Sequence, residues 1–226
     1  MADIPRNLAA VRQRIENACI AAGRKREDAG LVAVTKTFPA DAVRAAYDAG
    51  HRIFGESRLQ EALPKIDALP SDIHWHFIGR VQRNKLRKIL AAFEVVHGID
   101  SPALADAADR IAGEEGWRPR VFLQVNLANE KSKGGFSPDA LESGMPALIA
   151  LKRLELQGLM AIPPPAESAA DARRWFSALR DLRDRIERTH RIRLPGLSMG
   201  MSDDFEAAIL EGSTLVRVGS AIFGSR

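Results

Sequence analysis

Short apolar segments alternate with amphipathic helical segments eight times along this chain of 226 residues. Such a rhythm indicates parallel strands joined by right-handed helical crossovers. Eight units of this length predict an α/β fold, a single (β/α)₈ TIM barrel that fills one domain, residues 1–226. The predicted strands are 31–35, 52–54, 74–78, 93–96, 120–125, 154–160, 197–199 and 214–218.

The segment before the first strand predicts an extra N-terminal helix over residues 3–22. Leu8, Val11 and Ile15 recur there at helical spacing, and Gly23 ends the pattern. A doubly wound open sheet is the alternative architecture. No G-x-G-x-x-G follows the first strand, so a dinucleotide site is not expected in either fold.

Composition excludes several classes of protein. Hydrophobic residues make up 46% of the chain, which is enough for a large core. No apolar run approaches the length of a membrane span, and the first residues lack an apolar signal region, so we expect a cytoplasmic protein with no membrane partner. Cys19 is the single cysteine, which excludes an intramolecular disulfide.

Basic residues concentrate in two segments, although the net charge is only +4. One segment runs from Arg80 to Lys88 and the other from Arg173 to Arg193. Neither carries interleaved aromatic residues or a nucleic-acid motif. We therefore interpret both as solvated helix faces and expect no nucleic-acid partner.

A lysine stands at the C-terminal end of the first predicted strand. Lys36 follows the apolar run 31–34, and Pro39 opens the next helix. Burial at a strand end would disfavour the charged ammonium and favour the nucleophilic amine, which can form a Schiff base with an aldehyde. The alternative is a lysine whose ammonium simply reaches water.

The loops after the last two strands predict a phosphate site. In (β/α)₈ barrels such a site commonly follows strands seven and eight. Here Ser198 follows strand seven, and Gly219 and Ser220 follow strand eight. Glycine permits close backbone approach to an anion, and serine adds a hydroxyl. A phosphate site beside an amine fits pyridoxal 5′-phosphate, which carries one phosphate and one aldehyde.

Arg217 lies on the last strand, two residues before the phosphate turn, so it can face the barrel mouth. An arginine opposite a pyridine nitrogen cannot accept a proton from it, and the ring stays a weak electron sink. The alternative is an ion pair with a carboxylate inside the barrel, such as Glu56.

Histidines raise the possibility of a metal. His74 and His76 share one face of the third strand, and His97 is expected to end the fourth. A His-x-His pair can bind zinc, but no acidic or cysteine ligand is placed beside it, so we predict no metal. His76 is expected inside the barrel near the cofactor, or as a core histidine.

Six ordered segments carry a family resemblance: Ala33-Val34-Thr35-Lys36-Thr37, Phe54-Gly55-Glu56, Trp75-His76-Phe77-Ile78-Gly79, Gly158-Leu159-Met160, Leu197-Ser198-Met199-Gly200-Met201-Ser202-Asp203-Asp204-Phe205 and Val216-Arg217-Val218-Gly219. Over nearly the whole chain the sequence resembles the pyridoxal phosphate homeostasis proteins, which are similar to the N-terminal barrel of alanine racemase.

The resemblance implies a Schiff base at Lys36, phosphate contacts from Ser198, Gly219 and Ser220, and Arg217 near the pyridine nitrogen. Met160 and His76 complete the predicted cofactor-binding set. The family pattern Gly-Glu-Asn-Tyr is replaced by Gly55-Glu56-Ser57-Arg58, so the contact of that asparagine is not carried over.

The expected function is therefore that of a cofactor carrier or buffer. The resemblance implies a protein that takes part in pyridoxal 5′-phosphate homeostasis, with no established turnover, so we expect no catalytic residues. We further expect a monomer, with apo-enzymes as recipients of the cofactor. The alternative is a racemase-like enzyme. Racemisation needs a second acid or base on the far face of the substrate, and Tyr47, the single tyrosine, is expected in the core.

Overall fold

The computed structural model of the protein describes residues 2–130 and 133–224. Within this part of the chain eight parallel strands form a closed barrel, as the sequence predicts, and the last strand pairs with the first. The strands are β1 (Gly30–Val34), β2 (Ile53–Glu56), β3 (His74–Phe77), β4 (Val95–Ile99), β5 (Arg120–Val125), β6 (Glu155–Ala161), β7 (Gly196–Ser198) and β8 (Leu215–Val218).

Helices cover the outside of the barrel. The helices are α1 (Ile4–Ala21), α2 (Ala40–Asp48), α3 (Leu59–Ala68), α4 (Leu86–Ala92), α5 (Pro102–Glu115), α6 (Pro138–Ala150), α7 (Ala169–His190), α8 (Phe205–Leu210) and α9 (Ser220–Phe223). The extra helix α1 packs against α8 and α9. Its start is fixed by Asp3, whose carboxylate accepts the Arg6 N–H at 3.2 Å. None of the described helices is long and apolar enough to cross a bilayer.

Most of the predicted strand boundaries differ from the observed ones by one to three residues, and the difference matters most at the fourth strand. The basic segment from Arg80 to Lys88, interpreted as a helix face, contains a 3-10 turn, Arg83–Lys85, before α4 begins at Leu86. The fourth strand starts at Val95 rather than Phe93, because the Phe93 N–H still donates the last hydrogen bond of α4, to the Ile89 carbonyl at 3.0 Å. His97 therefore lies in the middle of β4 rather than at its end.

The loop between β5 and α6 contains residues 131 and 132, which lie outside the described part of the chain. The rest of the loop is hydrogen-bonded at several points. The Asn126 amide donates to the Glu130 carbonyl at 2.9 Å and to the Lys133 carbonyl at 3.2 Å. Gln124 donates to the Gly134 carbonyl at 2.9 Å.

Apolar side chains pack in two layers because neighbouring residues of a strand point to opposite faces. The larger layer lies between strands and helices and includes Leu31, Phe54 and Val216. A separate small cluster fills the barrel interior, formed by Val95, Phe122, Met160 and Leu215.

Strands β6 and β7 approach each other closely at two glycines. Gly158 follows a β-bulge, at which β6 contains one residue more than the facing part of β5. The φ angle of Gly158 is +148°. A Cβ on Gly158 would lie 1.8 Å from the Gly196 carbonyl oxygen. The backbone at this point therefore requires glycine.

We predict that Gly158→Ala lowers the free energy of unfolding by at least about 2 kcal/mol, because both the φ angle and the carbonyl contact exclude a methyl group. Gly144→Ala is the matched control. Gly144 lies inside α6 with open space around its Cα, so alanine there should stabilise by about 0.5–1 kcal/mol. Urea unfolding measures both effects, and equal midpoints for the two variants would contradict the prediction.

Candidate functional site

The C-terminal ends of the strands open into a cavity of about 290 Å³. Parallel strands bring their C-terminal ends to one rim, so the end of β1 meets the end of β8 there. The cavity is lined by Lys36, Arg217, Gly219 and Ser220 together with Val34, Phe38, Ser57, Ile78, Ile162, Met201, Ser202, Asp203 and Gly224.

Lys36 stands in a strained turn. It is half-buried, and the next residue, Thr37, has a φ of +70°, which is unfavourable for a β-branched side chain. The Thr37 N–H donates to the Glu61 carboxylate at 3.2 Å, and Arg58 donates to the same carboxylate at 2.6 Å. Glu61 therefore holds the backbone of the turn that presents Lys36.

A buried ion pair lies under the same turn. The Lys65 ammonium donates to Glu56 Oε1 at 2.7 Å and to the Thr35 carbonyl at 2.9 Å. The Thr35 hydroxyl donates to Glu56 Oε1 at 2.7 Å. This cluster fixes the residue before Lys36. The alternative in which Glu56 pairs with Arg217 is wrong, because the partner of Glu56 is Lys65.

Arg217 is a buried charge at the base of the cavity. Its Nη1 donates to the Ser198 carbonyl and to Ser198 Oγ, both at 2.6 Å, and its Nη2 donates to the Ala161 carbonyl at 2.9 Å. Its Nε has no acceptor among the described residues. Burial lowers the pKa of Arg217 to about 10, while Asp204 raises it, so the guanidinium keeps its charge at neutral pH.

Two neutral histidines continue from Ser198 into the barrel interior. Ser198 Oγ lies 2.9 Å from His97 Nδ1, and His97 Nε2 lies 3.0 Å from His76 Nδ1. Burial lowers the pKa of His76 to about 4. Burial, with His76 and Arg217 nearby, holds the pKa of His97 well below its ordinary value.

The turn after β8 is tied to the loop after β7. Ser202 Oγ accepts the N–H of Gly219 at 3.3 Å and that of Ala221 at 3.5 Å. A Cβ on Gly219 would lie 3.2 Å from the Val34 carbonyl oxygen, so glycine leaves room at the cavity wall. These loops give the cavity a wall of small residues and hydroxyl groups.

The structure brings four of the seven predicted site residues to this cavity: Lys36, Arg217, Gly219 and Ser220. The other three do not line it. Ser198 and His76 belong to the polar chain in the barrel interior, and Met160 belongs to the interior apolar cluster. Ligand contacts of all seven residues stay predictions.

Sequence reasoning missed Ser202 and His97. Ser202 lies in the segment after β7 that carries the family resemblance. Only its hydrogen bonds to the N–H groups of Gly219 and Ala221 distinguish its role from that of Ser198. The sequence pattern indicates His97 only as a possible metal ligand at a strand end. Within the described residues no three histidine, cysteine or carboxylate side chains converge as a metal site would require.

Comparison with known proteins decides the family. Residues 6–226 match the family described as alanine racemase, N-terminal domain. The pyridoxal phosphate homeostasis protein of Pseudomonas aeruginosa is 46% identical over 229 residues, covering 100% of this chain and 97% of that protein. That of Aquifex aeolicus is 41% identical over 220 residues, covering 97% and 96%. This chain belongs to the pyridoxal phosphate homeostasis protein family.

Solved structures of other proteins have a barrel similar to this one. PipY of Synechococcus elongatus, solved with PLP bound, has a TM-score of 0.88 at 39% identity and covers 98% of this chain and 100% of its own. Alanine racemase of Clostridium difficile has a TM-score of 0.74 at 16% identity, over 99% of this chain and 57% of that chain. The racemase likeness confirms the barrel fold alone.

Buried neutral histidines predict a loss of stability in mild acid. Burial lowers the pKa of His51 to about 4, as it does for His76. Between pH 6.5 and 4 the unfolded chain binds more protons than the folded one, so stability is complete above pH 6.5 and falls as the pH drops. Each of these two histidines contributes up to about 3 kcal/mol.

Urea unfolding at pH 7, 6 and 5 measures this slope, above the range in which most carboxylates titrate. His51→Phe should reduce the slope, because it removes one of the groups that takes up a proton on unfolding. A stability that stays constant from pH 7 to pH 5, or a slope unchanged in His51→Phe, would contradict the assignment.

Proposed function

We propose that this chain binds pyridoxal 5′-phosphate through Lys36 and holds it for transfer to apo-enzymes, as a monomeric carrier without efficient turnover of amino acids. One observation carries the proposal: an amine, a buried arginine and a glycine-serine turn line one cavity of about 290 Å³. PipY, a relative in the same family, has been solved with PLP bound.

The donors around the cavity suit the two ends of this cofactor. When bound, the cofactor supplies an aldehyde that reacts with an amine. Lys36 would hold the cofactor covalently at that aldehyde through its side-chain amine, with release of water. The Gly219 backbone and the hydroxyls of Ser220 and Ser202 would meet the phosphate. The contact predicted for Ser198 stays a prediction, since its hydroxyl already bonds Arg217 and His97.

Arg217 supports a carrier rather than a racemase. A guanidinium donates hydrogen bonds and cannot accept them. Opposite the pyridine nitrogen, Arg217 would leave that nitrogen unprotonated and the ring a weak electron sink. A carbanion at the substrate α-carbon would then gain little stabilisation.

The positions of other proton carriers also favour the carrier. Racemisation needs an acid or base on each face of the substrate. The single tyrosine, Tyr47, lies in the last turn of α2, at the opposite end of the barrel from the cavity, where its hydroxyl donates to Asp72 at 2.8 Å. Asp203 is the one carboxylate that lines the cavity among the described residues.

We predict that protein loaded with pyridoxal 5′-phosphate shows a near-visible absorbance band that sodium borohydride abolishes, and that Lys36→Ala lacks this band. The reason is that the band requires the C=N bond to Lys36. Lys85→Ala is the matched control, because Lys85 lies in the 3-10 turn before α4 and does not line the cavity. Circular dichroism checks the fold of both variants. A full band in Lys36→Ala would sink the proposal.

The alternative enzyme is tested by deuterium incorporation. For L-alanine and other amino acids in heavy water, NMR should find exchange at Cα far below about 1 s⁻¹, the lower edge of ordinary enzymes. The same loaded protein should reactivate an apo-enzyme that needs the cofactor. Exchange at or above that rate, absent in Lys36→Ala, would favour the racemase-like alternative.

A further inference from the structure

A chain of hydrogen bonds crosses the barrel interior below the cavity. It runs from Arg217 on β8 through Ser198 at the end of β7 to His97 on β4 and His76 on β3, with distances of 2.6, 2.9 and 3.0 Å. All four residues are buried, and both Ser198 and His97 have no exposed surface. Chains of this kind are costly inside a protein unless each member is satisfied.

Chemistry fixes the direction of every bond in this chain. Arginine only donates, so Ser198 Oγ accepts from Arg217. Ser198 is fully buried, and among the described residues the acceptor within reach of its own proton is His97 Nδ1, so the hydroxyl donates there. His97 Nδ1 is then an acceptor, and the ring proton of a neutral His97 sits on Nε2. That proton is donated to His76 Nδ1, so His76 carries its proton on Nε2.

The His97 ring is itself held in place. It stacks on Phe122 with ring centroids 4.7 Å apart and an interplanar angle of 27°. Phe122 belongs to the interior cluster with Val95 and Met160. His97 thus joins the apolar packing of the barrel to the polar chain that ends at Arg217.

We infer that His97 is a positioning residue: by accepting the Ser198 hydroxyl proton it keeps Ser198 Oγ oriented as an acceptor, and so fixes the Arg217 guanidinium at the base of the cavity. The part of this inference that concerns cofactor rests on the proposed function. Without an acceptor at His97, the Ser198 hydroxyl proton could turn toward the Arg217 Nη1–H. The guanidinium would then lose Ser198 Oγ, one of its three hydrogen-bond acceptors.

Three variants separate this role from a general packing role. His97→Phe keeps a ring that can stack on Phe122 but removes the acceptor. His97→Asn places an amide oxygen near the position of Nδ1 and can still accept from Ser198. His51→Phe is the control, since it removes a buried histidine that bonds Arg12 and the Ile53 carbonyl outside this chain.

The first measurement needs no cofactor. In ¹⁵N-labelled wild-type protein, imidazole NMR should find the His97 proton on Nε2 and an unprotonated Nδ1. The Arg217 Nε–H signal should be a single sharp resonance in wild type, His97→Asn and His51→Phe, and should broaden or shift in His97→Phe. A wild-type His97 with its proton on Nδ1 overturns the inference, even if His97→Phe fails to fold.

The second measurement is the equilibrium dissociation constant for pyridoxal 5′-phosphate, followed by the near-visible band. His97→Phe should raise it about tenfold, and His97→Asn and His51→Phe should stay within about threefold of wild type. Wild-type affinity in His97→Phe, or an equal loss in His51→Phe, overturns the positioning role. If wild-type protein binds no cofactor, the proposed function fails, and the NMR result on the cofactor-free protein still decides the position of Arg217.

Discussion

The buried charge of Arg217 is the constraint around which the barrel interior is arranged. A guanidinium with 4% of its residue surface exposed needs acceptors, and it finds two backbone carbonyls and one hydroxyl rather than a carboxylate. The Ser198 hydroxyl can accept from Arg217 in this arrangement because its own proton is donated to His97, which in turn bonds His76. This need accounts for two histidines in an interior that (β/α)₈ barrels commonly fill with branched apolar side chains. Because no carboxylate neutralises it at close range in the described residues, the charge remains directed toward whatever occupies the cavity.

The other wall of the cavity is held by a separate set of interactions. Lys36 follows a strand end fixed by the buried Glu56–Lys65 pair, and the turn after it is held by Glu61. Arg58, at a position where the family pattern has tyrosine, donates to Glu61. Arg58 therefore helps, through Glu61, to hold the turn that presents Lys36. Preorganisation of this kind keeps an amine in one place at the rim while Arg217 stays fixed at the base.

Sequence reasoning predicted the barrel because alternation of strands and helices leaves few other architectures. It predicted Lys36, Arg217, Gly219 and Ser220 as neighbours because strand ends of a parallel barrel share one rim. It could not separate Ser198 from Ser202, since the pleat of β7 turns Ser198 into the barrel interior, whereas the loop after β7 brings Ser202 to the cavity. It also could not find the Arg217–Ser198–His97–His76 chain, whose members lie on four strands and whose spacing in sequence carries no signal. The start of the fourth strand was predicted two residues too early, at Phe93, because an apolar residue before a strand fits the end of a helix equally well.

The central claim is that Lys36 forms the covalent link to the cofactor. Borohydride reduction of loaded protein, followed by peptide mass spectrometry, tests it directly because reduction makes the C–N bond permanent. We expect one modified peptide containing Lys36, and a partial or absent adduct when pyridoxal without its phosphate replaces the cofactor at the same concentration. An adduct found only on another lysine, such as Lys85 or Lys65, would contradict it.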